Sequence, residues 1–531
     1  MGKYSFSKCK DKINRWYIKV NPWMKAGIKM QKKLLLSEYV LLSLMAIFYI
    51  LIFSTTTSPF WGEPFAGDSA MFQTIGKYWA KGHLPYVSLW DSKGPIIFFI
   101  NAIGYFLTDS NLGVFFLQII GLIVSEVFLY KIYNIVFEKE LSLGLTVVTL
   151  AVMLIDYDGN STEEYLLPLI IIAFYFVVCW IYKYYRENII EHNPLHAFFY
   201  GFTFTFCLLT RLTNAVGLCA AIFVIVIVLS IKQKWINLLK NAVMFIGGAL
   251  VLLLPFVIYF YLHGILYEAL YGTLLYNLDY MGHSSLAYST SSLYSILQIM
   301  IGYSYGIVLC LLGVFEVFIL KKRITAGWVW SVVGFLTTLW LFRSNGYLHY
   351  GLVAIPYFPI IIVEIKQILL EVEMGKIKEI FLRYITSMYL IICLIGSVFS
   401  IKGTLIEYYN TIFVGEVRMC KEAEQEVISM IPESELDSFI AYNTNPGIYL
   451  QLDIKPYYRF FTMQDWAASR SQTLEKLLVN TFAEGDVEWV FVEGSPDETL
   501  IREVLEDRYM CVANRKKPFV NTMYYLFQLK E

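Results

Sequence analysis

The chain has 531 residues, of which 57% are hydrophobic and only 16% charged, with a formal net charge of −1 and a mean hydropathy of +0.56. Soluble domains carry about 25% charged residues, so this chain lacks the polar surface that a water-soluble globule needs. No extended basic face accompanies the apolar bulk, which excludes nucleic-acid binding.

Residues 1–33 form a basic segment holding Lys3, Lys8, Lys10, Lys12, Arg15, Lys19, Lys25, Lys29, Lys32 and Lys33. The first apolar run begins only near Leu34, so a retained first span is expected rather than a cleaved signal peptide. A bilayer-crossing helix needs about 20 mostly apolar residues. Candidate spans are Leu34–Phe53, Leu112–Phe137, Leu141–Ile155, Tyr165–Tyr182, His196–Thr210, Thr213–Ile231, Ala242–Leu262, Leu293–Leu320, Ile324–Phe342, Tyr347–Leu370 and Tyr384–Ser400. The expected fold is an α-helical polytopic membrane protein with about 11–13 transmembrane helices. Ile96–Leu107 is short for a span and reads as a re-entrant or interfacial helix, or as the start of a further one.

Basic loops stay in the cytoplasm, which places the N-terminus inside. Alternating sides from there puts the loops with Lys232, Lys234 and Lys240, with Lys321, Lys322 and Arg323, and with Lys366, Lys376, Lys378 and Arg383 inside as well. The loops Asp156–Glu164 and His263–Ser292, which contain no Lys or Arg, fall outside. So do the first long loop, 54–110, and the tail. Residues 34–401 are thus expected to form the membrane domain and 402–531 an extracytoplasmic soluble domain. In that tail, Ser438–Tyr442 and Glu488–Val492 have strand length, and Gln472–Phe482 and Asp497–Glu506 are helix-like, which together predict a small α/β domain. Of the eight cysteines, none has metal-ligand spacing. Cys420 and Cys511 both lie in the tail, where a disulfide between them is an alternative to two free thiols.

The charged residues hardest to explain structurally all gather on the outer side: Asp68, Asp91, Lys93, Asp158, Glu163, Glu164, Arg211, Glu268, Asp279, His283, Arg343 and His349. Asp68 lies just beyond the first span and reads either as a helix N-cap or as a general base. Lys93, beside Asp91, sits at the height of lipid phosphates and either snorkels to headgroups or binds a phosphate. Asp91 is expected to orient Lys93 by an ion pair. The run Asp156-Tyr157-Asp158-Gly159-Asn160-Ser161-Thr162-Glu163-Glu164 is either a solvated acidic turn capped by Asn160 or Ser161, or a lining for sugar hydroxyls or a divalent cation. Arg211 and Arg343 stand against the positive-inside trend, and arginines at such depth have anionic partners. Those partners are either protein carboxylates or a ligand phosphate. His349 and Tyr350 follow Arg343 at the next span. His283 and His349 read as hydrogen-bonded structure before metal ligands.

The first outer loop reads Gly67-Asp68-Ser69-Ala70-Met71-Phe72, then Gly82-His83-Leu84-Pro85-Tyr86, then Leu89-Trp90-Asp91-Ser92-Lys93-Gly94-Pro95. It resembles the first extracytoplasmic loop of the GT-C superfamily of membrane glycosyltransferases, in the branch of the protein O-mannosyltransferases and the bacterial aminoarabinose transferases of lipid A. That pattern has an acidic residue after the first span, a glycine-x-x-proline-tyrosine element and a lysine-proline element. Gly94 departs from it, since many relatives have a second proline there. The motifs cover roughly the first 230 residues; beyond them only the layout is similar.

The resemblance implies an inverting hexosyl- or pentosyltransferase using a polyprenyl-phosphate sugar donor and a cell-surface glycan, lipid or protein acceptor. It implies Asp68 as base, with Lys93 and Arg211 or Arg343 on the phosphate. Asp91, Asp158, Glu163, Glu164, His349 and Tyr350 would orient these groups or bind sugar and acceptor. No cofactor is needed where Lys and Arg neutralise the leaving phosphate, and a divalent cation is the alternative. A lipid-linked oligosaccharide ligase or polymerase, a flippase and an inactive binding relative are the rival readings.

Overall fold

The computed structural model describes residues 22–61, 67–157, 159–278, 293–343, 348–373, 375–469, 471–485 and 487–530. Its helices, in chain order, are α1 (Pro22–Phe53), α2 (Gly67–Ala80), α3 (Pro95–Thr108), α4 (Asn111–Tyr133), α5 (Lys139–Met153), α6 (Thr162–Arg186), α7 (Pro194–Leu208), α8 (Val216–Ile231), α9 (Trp235–Leu262), α10 (Leu266–Leu270), α11 (Leu293–Val314), α12 (Ile324–Arg343), α13 (Tyr357–Glu371) and α14 (Lys376–Tyr409). Eight helical segments among the described residues are long and apolar enough to cross a membrane, and three shorter apolar helices accompany them. The protein is therefore a multi-pass membrane protein, as expected. The short run near Ile96 is α3, whose 14 residues reach about 21 Å, too little for the roughly 30 Å hydrocarbon core. It packs instead between α2 and α4.

Helices α7 and α9 approach closely because glycine leaves room between their backbones at two points. A Cβ on Gly248 of α9 would lie 1.8 Å from the Phe198 carbonyl oxygen of α7, and one on Gly201 would lie 1.9 Å from that of Phe245. At the end of the bundle where the basic loops lie, Arg323 is buried rather than solvated. Its guanidinium meets Glu316 at 3.0 Å, Glu364 at 2.5 Å and Glu371 at 2.7 Å, and it lies 4.9 Å above the Tyr185 ring. What reads in the sequence as a topology signal is also a clamp between the α11–α12 turn and α13.

α14 runs unbroken past Ser400, and a π-helical turn carries it to Val414. Beyond it, α15 (Glu416–Ile428), α16 (Gly447–Gln451), α17 (Gln464–Ala468), α18 (Gln472–Ala483) and α19 (Arg502–Arg508) surround four strands: β1 (Phe439–Tyr442), β2 (Trp489–Glu493), β3 (Tyr509–Lys516) and β4 (Met523–Leu529). The sheet order is β1-β2-β4-β3, with β1 parallel to β2 and the other pairs antiparallel. β1 and β2 fall where sequence places them. β3 and β4 do not stand out in the sequence because β3 is an edge strand, half exposed and polar in its last residues. Cys420 and Cys511 are both free thiols, which corrects the disulfide alternative.

Candidate active site

The outer-loop residues converge at one end of the bundle, where α1, α5, α7 and α12 end and α2, α3, α6 and α8 begin. Asp68 lies in the first turn of α2, inside the helix rather than at its N-cap, where a carboxylate also gains from the helix dipole. It stays half exposed, and its Oδ2 lies 3.8 Å from Lys93 Nζ. Lys93, expected to pair with Asp91, thus pairs with Asp68 instead.

Asp91 acts on Lys93 differently from the expected ion pair. Its Oδ1 accepts the backbone N–H of Lys93 at 2.9 Å and fixes the loop. The Lys93 carbonyl accepts from the Tyr86 hydroxyl at 2.9 Å, and the Ser92 carbonyl from Asn277 Nδ2 at 2.7 Å. Burial pushes the Asp91 carboxyl above the usual carboxylate range; the Lys93 ammonium opposes that and Asp68 adds to it. For Lys93, burial pushes down, but the Asp68 and Asp91 carboxylates push up by more, so the ammonium stays charged.

Gly94 is explained by its neighbours. Its N–H donates to the Thr210 carbonyl at 3.1 Å, and a Cβ there would lie 2.1 Å from the Leu209 carbonyl oxygen. The loop carrying Lys93 is therefore laid directly on the end of α7. Gly94→Pro removes the N–H and inserts the Cβ at once. We expect it to destabilise the purified protein by about 3 kcal/mol or more, read as a large drop in unfolding temperature in detergent.

The second half of the site hangs on Glu163, in the first turn of α6. Its side chain is 2% exposed and accepts from Asn214 Nδ2 at 2.9 Å, from Thr162 Oγ1 at 2.6 Å and from Arg211 Nη1 at 3.4 Å. The Arg211 guanidinium lies 3.6 Å above the Tyr350 ring, and His349 stands edge-on to that ring with centroids 4.6 Å apart. His349 lies within electrostatic range of the carboxylates of both Asp156 and Glu163. Lys93 lies within electrostatic range of both Arg211 and Tyr350, so the two halves form one charged cluster, the mouth of the candidate site.

The acidic run is not a solvated turn. Asp156, Glu163 and Glu164 are all buried. Ser161 caps α6, its Oγ accepting the Glu164 N–H at 3.2 Å, and Asn160 ties the turn to Ser69 at 2.8 Å, Asn101 at 3.2 Å and Tyr165 at 3.0 Å. Glu164 turns away from Arg211 into a separate network, accepting from Gln118 at 2.9 Å and Tyr157 at 2.8 Å. Arg343 lies exposed at the end of α12, and no carboxylate among the described residues pairs with it. Asp158, Asp279 and His283 lie outside the described residues. Among those described, no three His, Cys, Asp or Glu side chains converge as metal ligands do.

Three residues drew no attention in the sequence, two of them at the site. Asn214, three residues beyond Arg211, was signalled only by its place between two apolar runs. Glu126, fully buried in α4, has both carboxylate oxygens without a hydrogen-bond partner, and a carboxylate inside a span is itself a signal. Trp90 had no signal at all. Its backbone N–H donates to the Arg459 carbonyl of the C-terminal domain at 2.8 Å, and its ring stands edge-on to Tyr276 at 5.0 Å and Phe460 at 5.2 Å. With the Lys77–Asp453 ion pair at 2.5 Å, this pins α2 and the loop before Lys93 to the C-terminal domain. Trp90→Ala is expected to cost about 3 kcal/mol and Trp90→Phe clearly less, a ranking that thermal unfolding of the two variants checks.

Residues 29–409 match the family described as competence-induced protein Ccs4, N-terminal domain. The chain belongs to that family. Among curated proteins, no sequence matches this chain. Its structure is similar to that of ArnT from Cupriavidus metallidurans bound to undecaprenyl phosphate, with a TM-score of 0.54 and 11% identity over 92% of this chain and 97% of ArnT. The apo state of the same ArnT gives 0.53 and 11%, over 94% and 98%. The likeness shows that this chain shares the fold of ArnT.

Proposed function

We propose that this chain is an inverting glycosyltransferase that moves a sugar from a polyprenyl phosphate to a cell-surface acceptor on the extracytoplasmic face. The observation that carries this reading is the mouth itself: Lys93 and Arg211 flank it as cations, and the half-exposed Asp68 carboxylate lies 3.8 Å from Lys93. The fold shared with a protein bound to undecaprenyl phosphate adds support for a lipid-phosphate donor.

In the proposed reaction the donor phosphate takes the Lys93 ammonium from Asp68. The acceptor hydroxyl oxygen then attacks the anomeric carbon from the side opposite the phosphate. The anomeric C–O bond to phosphate breaks, and its electron pair leaves with the phosphate oxygen, whose charge Lys93 and Arg211 stabilise. Asp68 takes the acceptor's proton. The products are polyprenyl phosphate and an acceptor glycosylated with inverted configuration. Glu163 and Tyr350 hold Arg211 at the mouth, and His349 faces the sugar. In this reading the N-terminus is cytoplasmic, residues 34–401 form the catalytic domain and residues 402–531 the extracytoplasmic one, the sidedness following from the basic loops.

The test is transfer of radiolabelled sugar by purified protein from a panel of polyprenyl-monophosphate and polyprenyl-diphosphate donors. Turnover from monophosphate donors supports the reading. Turnover from diphosphate-linked oligosaccharides alone replaces it with a ligase or polymerase, and no turnover from either class overturns it.

A further inference from the structure

The stretch Leu382–Val414 is 33 residues long and contains an 18-residue window of mean hydropathy 2.0. At 1.5 Å per residue it is about 50 Å long, against roughly 30 Å of hydrocarbon and 40–45 Å with headgroups. Its last turns therefore reach the membrane–water boundary. They carry a belt of the kind found there: Tyr408 stacks on Phe60 with centroids 5.1 Å apart, Tyr409 stacks on Phe413 at 5.7 Å, and Ile412 and Phe413 are exposed.

Gly415, at φ +74°, ends this helix, and α15 starts at once. Cys420 Sγ of α15 lies 3.7 Å from the Pro518 carbonyl oxygen, which sets the β3–β4 turn beside the point where the chain leaves the membrane. Val417, one turn earlier on the same helix face, is exposed too. The turn is closed by the Lys517 N–H donating to the Thr522 carbonyl at 2.9 Å. At its tip Phe519 is held at φ +64°, a conformation that bulky side chains rarely adopt and that marks functional segments. The tip leaves Phe519 53% and Val520 43% exposed, with Lys516 exposed at the strand end.

We infer that the β3–β4 turn is a membrane wedge, with Phe519 and Val520 inserted into the leaflet beside the end of α14 and Lys516 at the lipid phosphates. The occupant is lipid because the turn meets α15 at Cys420, one helical turn from the exposed Val417 and close in sequence to the exposed Ile412 and Phe413 at the end of the apolar helix. A lysine flanking such a wedge reaches headgroups while its alkyl stem stays apolar. The wedge gives the C-terminal domain a second attachment besides α14, and so holds the Arg459–Trp90 contact at a fixed height over the mouth. This inference does not depend on the proposed transfer reaction.

The experiment uses full-length protein in nanodiscs of phosphatidylethanolamine and phosphatidylglycerol, with photoreactive p-benzoylphenylalanine in place of Phe519 or, separately, of Met510. Met510 is 56% exposed and lies six residues back along β3, about 20 Å from the turn. Mass spectrometry after irradiation reads the adducts. Lipid adducts at position 519 at least about ten-fold above those at 510 are the expected result. Equal yields at both positions, no lipid adduct at 519, or cross-links from 519 to protein would each overturn the wedge.

Discussion

Asp68→Asn should lower sugar transfer by about 10²–10⁴-fold, the usual contribution of a positioned general base, while donor binding persists or tightens. The physical basis is the position of Asp68 in the first turn of α2, where it is half exposed and pairs with Lys93 across 3.8 Å. In the resting protein that ion pair occupies both groups. A donor phosphate competing for Lys93 must break it, and an asparagine at position 68 removes the competitor without changing the shape. A fall in turnover together with an unchanged or lower donor Kd, read by equilibrium binding of the same lipid donor, is the signature of a base that also holds the phosphate site closed. Equal loss of binding and turnover would make Asp68 a structural partner of Lys93 and nothing more. Wild-type turnover in this variant would remove the base assignment altogether.

Arg211→Ala should cost about 10²–10³-fold in kcat/KM for the donor and should also destabilise the bundle. The two effects have separate causes. The guanidinium contributes charge at the mouth, and it also neutralises Glu163, which is 2% exposed and cannot regain water when its partner goes. An unpaired buried carboxylate costs about 3–5 kcal/mol, reduced here because Asn214 and Thr162 still donate to it. The double variant Arg211→Ala with Glu163→Gln removes the orphaned charge and should recover much of the lost unfolding temperature, since neighbouring sites are non-additive. Activity should not recover with it. Recovery of both together would assign Arg211 to folding alone.

The membrane character of the chain, the apolar spans and the α/β nature of the tail were legible because each depends on residues adjacent in sequence. Hydropathy over about 20 residues decides a span, and short apolar runs bounded by polar residues decide β1 and β2. The resemblance of the loop holding Asp68 and Lys93 to the GT-C superfamily was legible for the same reason. β3 and the short helix α3 were harder, because an edge strand shows little alternation and a 14-residue apolar helix looks like a fragment of a span.

By itself, then, the sequence determined that the chain lies in a bilayer and which charged residues gather at one end of it. Tertiary structure alone decided what those charges touch. Glu163 and Glu164 are neighbours in the chain, yet a helix turns about 100° per residue, so one meets Arg211 and the other Gln118. Whether Asp68 or Asp91 would hold the Lys93 ammonium depended on how the loop lies against α2 and α7. The Arg211–Glu163 pair spans 48 residues, and the Trp90–Phe460 contact joins two domains. Such pairings are set by the packing of helices remote in sequence, which leaves no local pattern of hydropathy or charge to read.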